Sequence, residues 1–214
     1  QLPPRTSGQI RVDLGAGTWS RDGARETVVN FENIEGSGYA EILVGSNADN
    51  TINGNNGDDI ISGGLGIDKL SGGEGNDIFE YSVNDIVAGE SADGGSGADT
   101  LQLTGIGGFR FDLVSFASIE TISFYDFGSG ERTARFDAAQ FGTGISLKAI
   151  IDGNEGASDR DVLDIRMNGA TSLDLSSLSF LQWTSGHDLV QVLGGVLGET
   201  IVGTSMIDLI EGND

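Results

Sequence analysis

The run GDDIISGGLGIDKLSGGEGNDIF, residues 57–79, repeats itself every nine residues with its aspartates in step with its glycines. Extended in both directions, the frame gives five nonapeptides without a gap from Gly36: GSGYAEILV, GSNADNTIN, GNNGDDIIS, GGLGIDKLS and GGEGNDIFE. Position one is always glycine, position six reads Glu41, Asn50, Asp59, Asp68 and Asp77, and position eight reads Leu43, Ile52, Ile61, Leu70 and Phe79. The block before them, TVVNFENIE, keeps Glu32 at position six and Ile34 at position eight. A chance match loses frame within one or two units, so a frame kept this long marks a repeat architecture.

The physics of one unit is short. Glycine lets the backbone enter turn conformations closed to other residues, and the residues around position eight then form a strand too short to be stable alone. Stacking buries the position-eight side chains in a continuous core and pairs the strands in parallel. Two nonapeptides make one coil, so each repeat lies over the next but one, about 4.8 Å away. Asp59 then sits over Asp77, Asn50 over Asp68, and Glu41 over Asp59. Carboxylates held that close repel unless a cation bridges them. Calcium takes six to eight oxygens and accepts carboxylates and carbonyls together, and glycine turns expose carbonyls. The competing calcium device, an EF-hand starting at Asp49, fails because its twelfth position is Ile60 where the loop needs glutamate.

GGLGIDKLS and GGEGNDIFE fit the pattern G-G-x-G-x-D-x-U-x in full and GNNGDDIIS nearly so. These blocks resemble the RTX (repeats-in-toxin) nonapeptide family of type I-secreted proteins. The resemblance implies an all-β fold, a right-handed parallel β-roll or β-solenoid, holding several calcium ions. It implies calcium ligation around Asn50, Gly54, Asn56, Asp58, Asp59, Gly63, Leu65, Asp68, Gly72, Glu74, Asn76 and Asp77, with Asp99, Asp188 and Asp208 as outlying ligands. Glu41 and Asn50 depart from the family's position-six aspartate. Family members are exported unfolded and fold on external calcium, so an extracellular or cell-surface location follows from the same resemblance.

Outside the regular blocks the grammar changes. YSVNDIVAGESAD, residues 81–93, reads as a bulged half-coil, and GGSGADTLQ restores the frame at Gly94 with Asp99 at position six. Near the end, GGVLGETIV and GTSMIDLIE repeat it with Glu199 and Asp208, and Asp188 in WTSGHDLVQ is expected over Asp208. Between these lie alternating apolar stretches such as TLQLTG, IETISFY and DVLDIRMN, which read as strands. FDLVSFASIE is the best helix candidate, and it is short. The expected division is a linker and N-terminal solenoid coils over 1–35, a calcium-binding roll over 36–102, a calcium-poor solenoid over 103–182, and a second calcium-binding segment over 183–214. The opening QLPPRTSGQ and the closing GND read as an internal piece of a longer polypeptide.

The chain's 33 acidic and 11 basic residues leave a net charge of −22, which disfavours nucleic acid and anionic membranes as partners and favours cations. There is no cysteine to form a disulfide or thiolate site, and no apolar run long enough for a membrane span. Neither H-E-x-x-H nor G-x-S-x-G occurs. His187, the single histidine, reads as a loop residue, and Asp161 with Asp164 fits strand edges better than a glycosidase pair. With only Lys69 and Lys148 as lysines, a lyase or epimerase site is disfavoured as well. The chain therefore reads as a non-enzymatic structural module. The alternative is a polysaccharide- or surface-binding module, with Trp19, Trp183, Phe109, Phe111, Phe124, Tyr125 and Phe127 available for stacking. Position seven places Ile42, Ile60 and Ile78 on one outer face and Thr51 and Lys69 on the other. That isoleucine ladder is expected to be covered by a segment such as 81–93, or to dock a neighbouring domain or copy.

Overall fold

The computed structural model describes residues 10–22, 24–125, 130–153, 160–183, 187–195, 199–205 and 208–211. Each nonapeptide supplies one strand: Glu41–Ser46, Thr51–Asn56, Ile60–Gly64, Lys69–Glu74 and Ile78–Ser82. Successive strands alternate between two parallel sheets, so Ile42 pairs with Ile60 and Ile60 with Ile78 in one, and Thr51 with Lys69 in the other. Paired residues are thus 18 apart. Leu43, Ile61 and Phe79 from one sheet meet Ile52 and Leu70 from the other in a single apolar core. This is a parallel β-roll. Asn55 shows how the imperfect block GNNGDDIIS keeps its turn: at φ 74 it takes the left-handed conformation that Gly73 takes in a perfect block, and asparagine is among the few non-glycine residues that do so at small cost.

Beyond the regular repeats the coil widens. Ile78 pairs with Thr100, 22 residues on, and Thr121 with Ile150, 29 residues on. The added residues build a third parallel sheet from Gly107–Arg110, Glu131–Asp137, Arg160–Arg166, Leu189–Leu193 and Asp208–Glu211. The cause is the size of what must be enclosed. One aliphatic side chain per strand fits between two sheets, whereas here Phe111 packs on Phe109, Phe116 and Phe136 with ring centroids 5.3–6.0 Å apart. FDLVSFASIE forms no α-helix: a 3-10 turn at Phe111–Leu113 leads into the strand Ser115–Ala117.

The N-terminal strands divide. Ile10–Asp13 pairs in parallel with Glu41–Ser46, and Asn33–Glu35 with Thr51–Asn56, as coils would. Thr18–Arg21 and Ala24–Thr27 are instead antiparallel and form a hairpin on the sheet edge.

The isoleucine ladder is in register, with Ile60 only 8% exposed between Ile42 and Ile78. Thr51 and Lys69 on the other face are exposed. Within the segment 81–93, Val83 and Ile86 pack against the core cluster.

Candidate metal centre: the carboxylate ladders

Position six falls where the chain turns from one sheet to the other, so its side chains line both edges of the roll. On one edge the Glu41 N–H donates to Asp59 Oδ1 (2.8 Å), the Asp59 N–H to Asp77 Oδ1 (2.8 Å) and the Asp77 N–H to Asp99 Oδ1 (2.9 Å). On the other edge the Asn50 N–H donates to Asp68 Oδ1 (2.7 Å). Each carboxylate therefore spends one oxygen tying down the coil before it. The second oxygen, Oδ2 of Asp59, Asp68, Asp77 and Asp99, is buried with no hydrogen-bond partner. A buried charged oxygen without a donor is strongly unfavourable, so these four atoms call for a cation.

The hollow each one faces has the matching chemistry. A Cβ added to Gly54 would fall on Asp59 Oδ2 and the Gly72 carbonyl oxygen, and one added to Gly72 on Asp77 Oδ2 and the Gly94 carbonyl oxygen. A side chain in place of either glycine would fill the space where a carboxylate oxygen and a carbonyl from the next coil converge. Among the described residues no three Asp, Glu or His side chains gather at one point, so an ion held here takes much of its shell from the backbone. All-oxygen donors that mix carboxylate and carbonyl suit calcium. The residues present fit that ion.

Burial is the main influence on these carboxyls, and it makes their protons harder to lose. Loss of water pushes Asp59 up to about 7, the Glu41 N–H pulls the other way, and the charges of Asp77, Glu41 and Asp58 add to the rise. Asp99 is pushed up to about 6, again chiefly by burial, while Asp68 and Asp77 are raised for the same reason. A raised folded value means the metal-free roll binds more protons than the unfolded chain. The stability these groups contribute is then fully present below the unfolded value, about 4, and is lost as pH rises from there through about 6 to 7. In chelator, acidification from pH 8 to 5 is expected to increase the β-signal in circular dichroism; a fall over that range would contradict the ladder. With calcium present the trend reverses, because protons compete for the same oxygens.

The remaining sequence-expected ligands fall into three groups. Asn50 is satisfied without a cation: its Oδ1 accepts the Ser46 N–H (2.6 Å) and its Nδ2 donates to the Glu32 carbonyl (2.8 Å). Glu41 likewise accepts the Ser37 N–H (2.8 Å), so both departures from aspartate close on themselves. The side chains of Asn56, Asp58, Leu65, Glu74 and Asn76 are exposed. Asp58 Oδ1 accepts the Asn76 N–H (2.8 Å) and Asn76 Oδ1 the Ala98 N–H (2.9 Å), an outer ladder that joins successive coils. Gly54, Gly63 and Gly72 line the hollows themselves.

The C-terminal pair needs correction. Val190, two residues past Asp188, pairs with Asp208, so Asp208 does not stack over Asp188; its side chain lies outside the described residues. The two aspartates are 20 residues apart, whereas the coil there keeps a spacing of 18. Asp188 instead accepts the N–H of Asp161 (2.9 Å), and Asp161 pairs with Arg132 Nε (2.8 Å). Arg132 and Asp161 have side chains 0% and 1% exposed, so a guanidinium stands there beside the ladder carboxylate. Asp164 is held by Arg135 and Arg166 at 2.8 Å each. Phe109, Phe111, Phe124 and Trp183 are core residues, Trp19 and Tyr125 are half-buried, and Phe127 lies outside the described residues.

Two ladder members escaped the sequence frame. Glu120 Oε2 accepts the Asp99 N–H (2.9 Å). Glu90 stacks one coil over Asp68, because Lys69 pairs with Ser91. Both follow insertions that break the beat of nine.

Comparison with known families agrees with this geometry over part of the chain. The model of the RTX calcium-binding nonapeptide repeat, four copies long, matches residues 35–70 and again 54–81, together about a fifth of the sequence. No curated protein and no solved structure matches the chain.

Proposed function

We propose that this chain, whose residues 35–81 are RTX calcium-binding nonapeptide repeats, is a structural module of an extracellular or cell-surface protein that completes its fold on meeting external calcium. The observation that carries the reading is the row of buried, unpartnered oxygens on Asp59, Asp68, Asp77 and Asp99. These oxygens come together only in the stacked coils, so an ion they hold stabilises the folded state by RT ln(1 + [Ca]/Kd) per site. For extracellular modules Kd runs near 10⁻⁴ to 10⁻³ M, so roughly millimolar calcium contributes about 0.4 to 1.4 kcal/mol per site. At micromolar calcium the contribution vanishes and the excess of acidic charge opposes folding. The role is that of a scaffold that stays open where calcium is scarce and stiffens where it is abundant.

A calcium titration followed by far-ultraviolet circular dichroism is expected to show β-structure rising between about 10⁻⁴ and 10⁻³ M. Full β-structure in chelator at pH 8 would sink the switch. The buried position of Phe109, Phe111, Phe124 and Trp183 removes the main support for sugar stacking, so the structural reading stands ahead of a polysaccharide-binding one.

A further inference from the structure

The coil after the last regular nonapeptide breaks the frame at the edge that carries Asp68. Position one, glycine in the five blocks before it, is Tyr81, and position six is Ile86. Tyr81 turns into the core, 3% exposed, with its ring edge-on to Phe111 at 5.4 Å. Its hydroxyl is buried and has no hydrogen-bond partner, and the same holds for Asp68 Oδ2. Four inserted residues later the chain returns to register, and Glu90 arrives one coil above Asp68 with only 1% of its surface exposed. The carboxylates of Glu90, Asp68 and Asp85 are the charges that act on the Tyr81 phenol, which burial above all holds well above its usual range. Asp85 accepts the Ser82 N–H (3.1 Å) and hydroxyl (2.7 Å) at Oδ2. Glu90 accepts the Val87 N–H at Oε2 (3.1 Å).

We propose that Asp68 Oδ2, the Glu90 carboxylate and the Tyr81 hydroxyl hold a calcium ion at this frame break. The site rests on the calcium reading of the regular ladder, but its far side lacks the glycine–aspartate pair of a nonapeptide. Two carboxylates match the ion's charge, and the phenol, which keeps its proton, offers a neutral oxygen lone pair. It adds a side-chain oxygen at the position where a regular coil has glycine. Tyr81 also touches Phe111, so the ion would join the end of the two-sided roll to the aromatic core of the wider coils.

The test counts ions by equilibrium dialysis against calcium on the whole chain. Glu90→Gln is expected to bind one ion fewer than the wild type. Tyr81→Phe keeps the ring and its packing, and is expected to weaken one ion by about tenfold. Asp77→Asn, on the opposite edge, is the control that reports the regular ladder. Should Glu90→Gln fail to fold in calcium, as judged by circular dichroism, Tyr81→Phe alone decides. Wild-type count and affinity in both variants, with an ion lost in Asp77→Asn, would overturn the frame-break site and leave the ladder standing. A loss in Glu90→Gln with none in Tyr81→Phe would remove the phenol from the shell. A wild type that binds no calcium would overturn the ladder reading itself.

Discussion

In excess chelator at pH 8, amide hydrogen exchange is expected to become fast across residues 41–104 and to stay slow across 119–125, 131–137 and 160–166. The difference follows from what neutralises buried charge in each half. In the regular roll, Asp59, Asp77 and Asp99 are buried and aligned one above the next, each with an oxygen that meets no donor. Without a cation, and above the values near 6 and 7 to which burial pushes Asp99 and Asp59, those charges oppose stacking. The wider coils carry their own cation in Arg132 and enclose Phe109, Phe111, Phe124, Phe136 and Phe141. Stacked repeats contact only their neighbours, so stability is close to a sum of local terms, and one half can open while the other holds. Equal loss of protection in both halves would show that the aromatic core does not stand without the roll. Protection unchanged in both would remove calcium from the folding of this chain altogether.

Replacing Arg132 by leucine is the single change expected to harm the wider coils most. It leaves Asp161, 1% exposed, as a buried carboxylate stripped of its guanidinium, a class of change that typically costs about 3–5 kcal/mol. Removing both charges together, in Arg132→Leu/Asp161→Leu, is expected to restore much of that loss, because an apolar pair avoids the desolvation of two ions. Urea denaturation in saturating calcium would measure both variants. The number of calcium ions bound should not change, since the pair belongs to the third sheet and not to the roll. A loss below about 1 kcal/mol in the single variant would place Asp161 in contact with water or another cation.

The same two regions show how far the sequence could be read. Between Gly36 and Glu80 the period of nine places every turn, every strand and every position-six side chain, and the register of Ile42, Ile60 and Ile78 follows from it. Position six was legible because glycine and aspartate recur at fixed spacing, and a fixed spacing becomes a column once the coils stack. Glu120 continues the column of Asp77 and Asp99, and Glu90 that of Asp68, yet neither could be found by counting, because insertions shift them out of frame. Asp208 fell at the right motif position and the wrong place in space, since the spacing of 18 there brings it opposite Val190. Exposure at Asn56, Asp58 and Asn76 was equally hidden, because the motif records which residue recurs and not which way it points.

By itself, then, the sequence determined a stack of parallel strands, its coil of eighteen residues, and the need for an oxygen-bound cation at its turns. These follow from local rules: glycine where the chain must turn sharply, one apolar residue per strand, and one acid per turn. Only the tertiary structure decided that a third sheet opens after Thr104, that Arg132 faces Asp161 across 29 residues, and that Tyr81 buries an unpartnered hydroxyl while Glu90 stacks over Asp68. Those outcomes depend on the volume of the side chains enclosed and on which register closes the hydrogen-bond ladders. Both are properties of segments far apart in the chain, and no nine-residue window contains them.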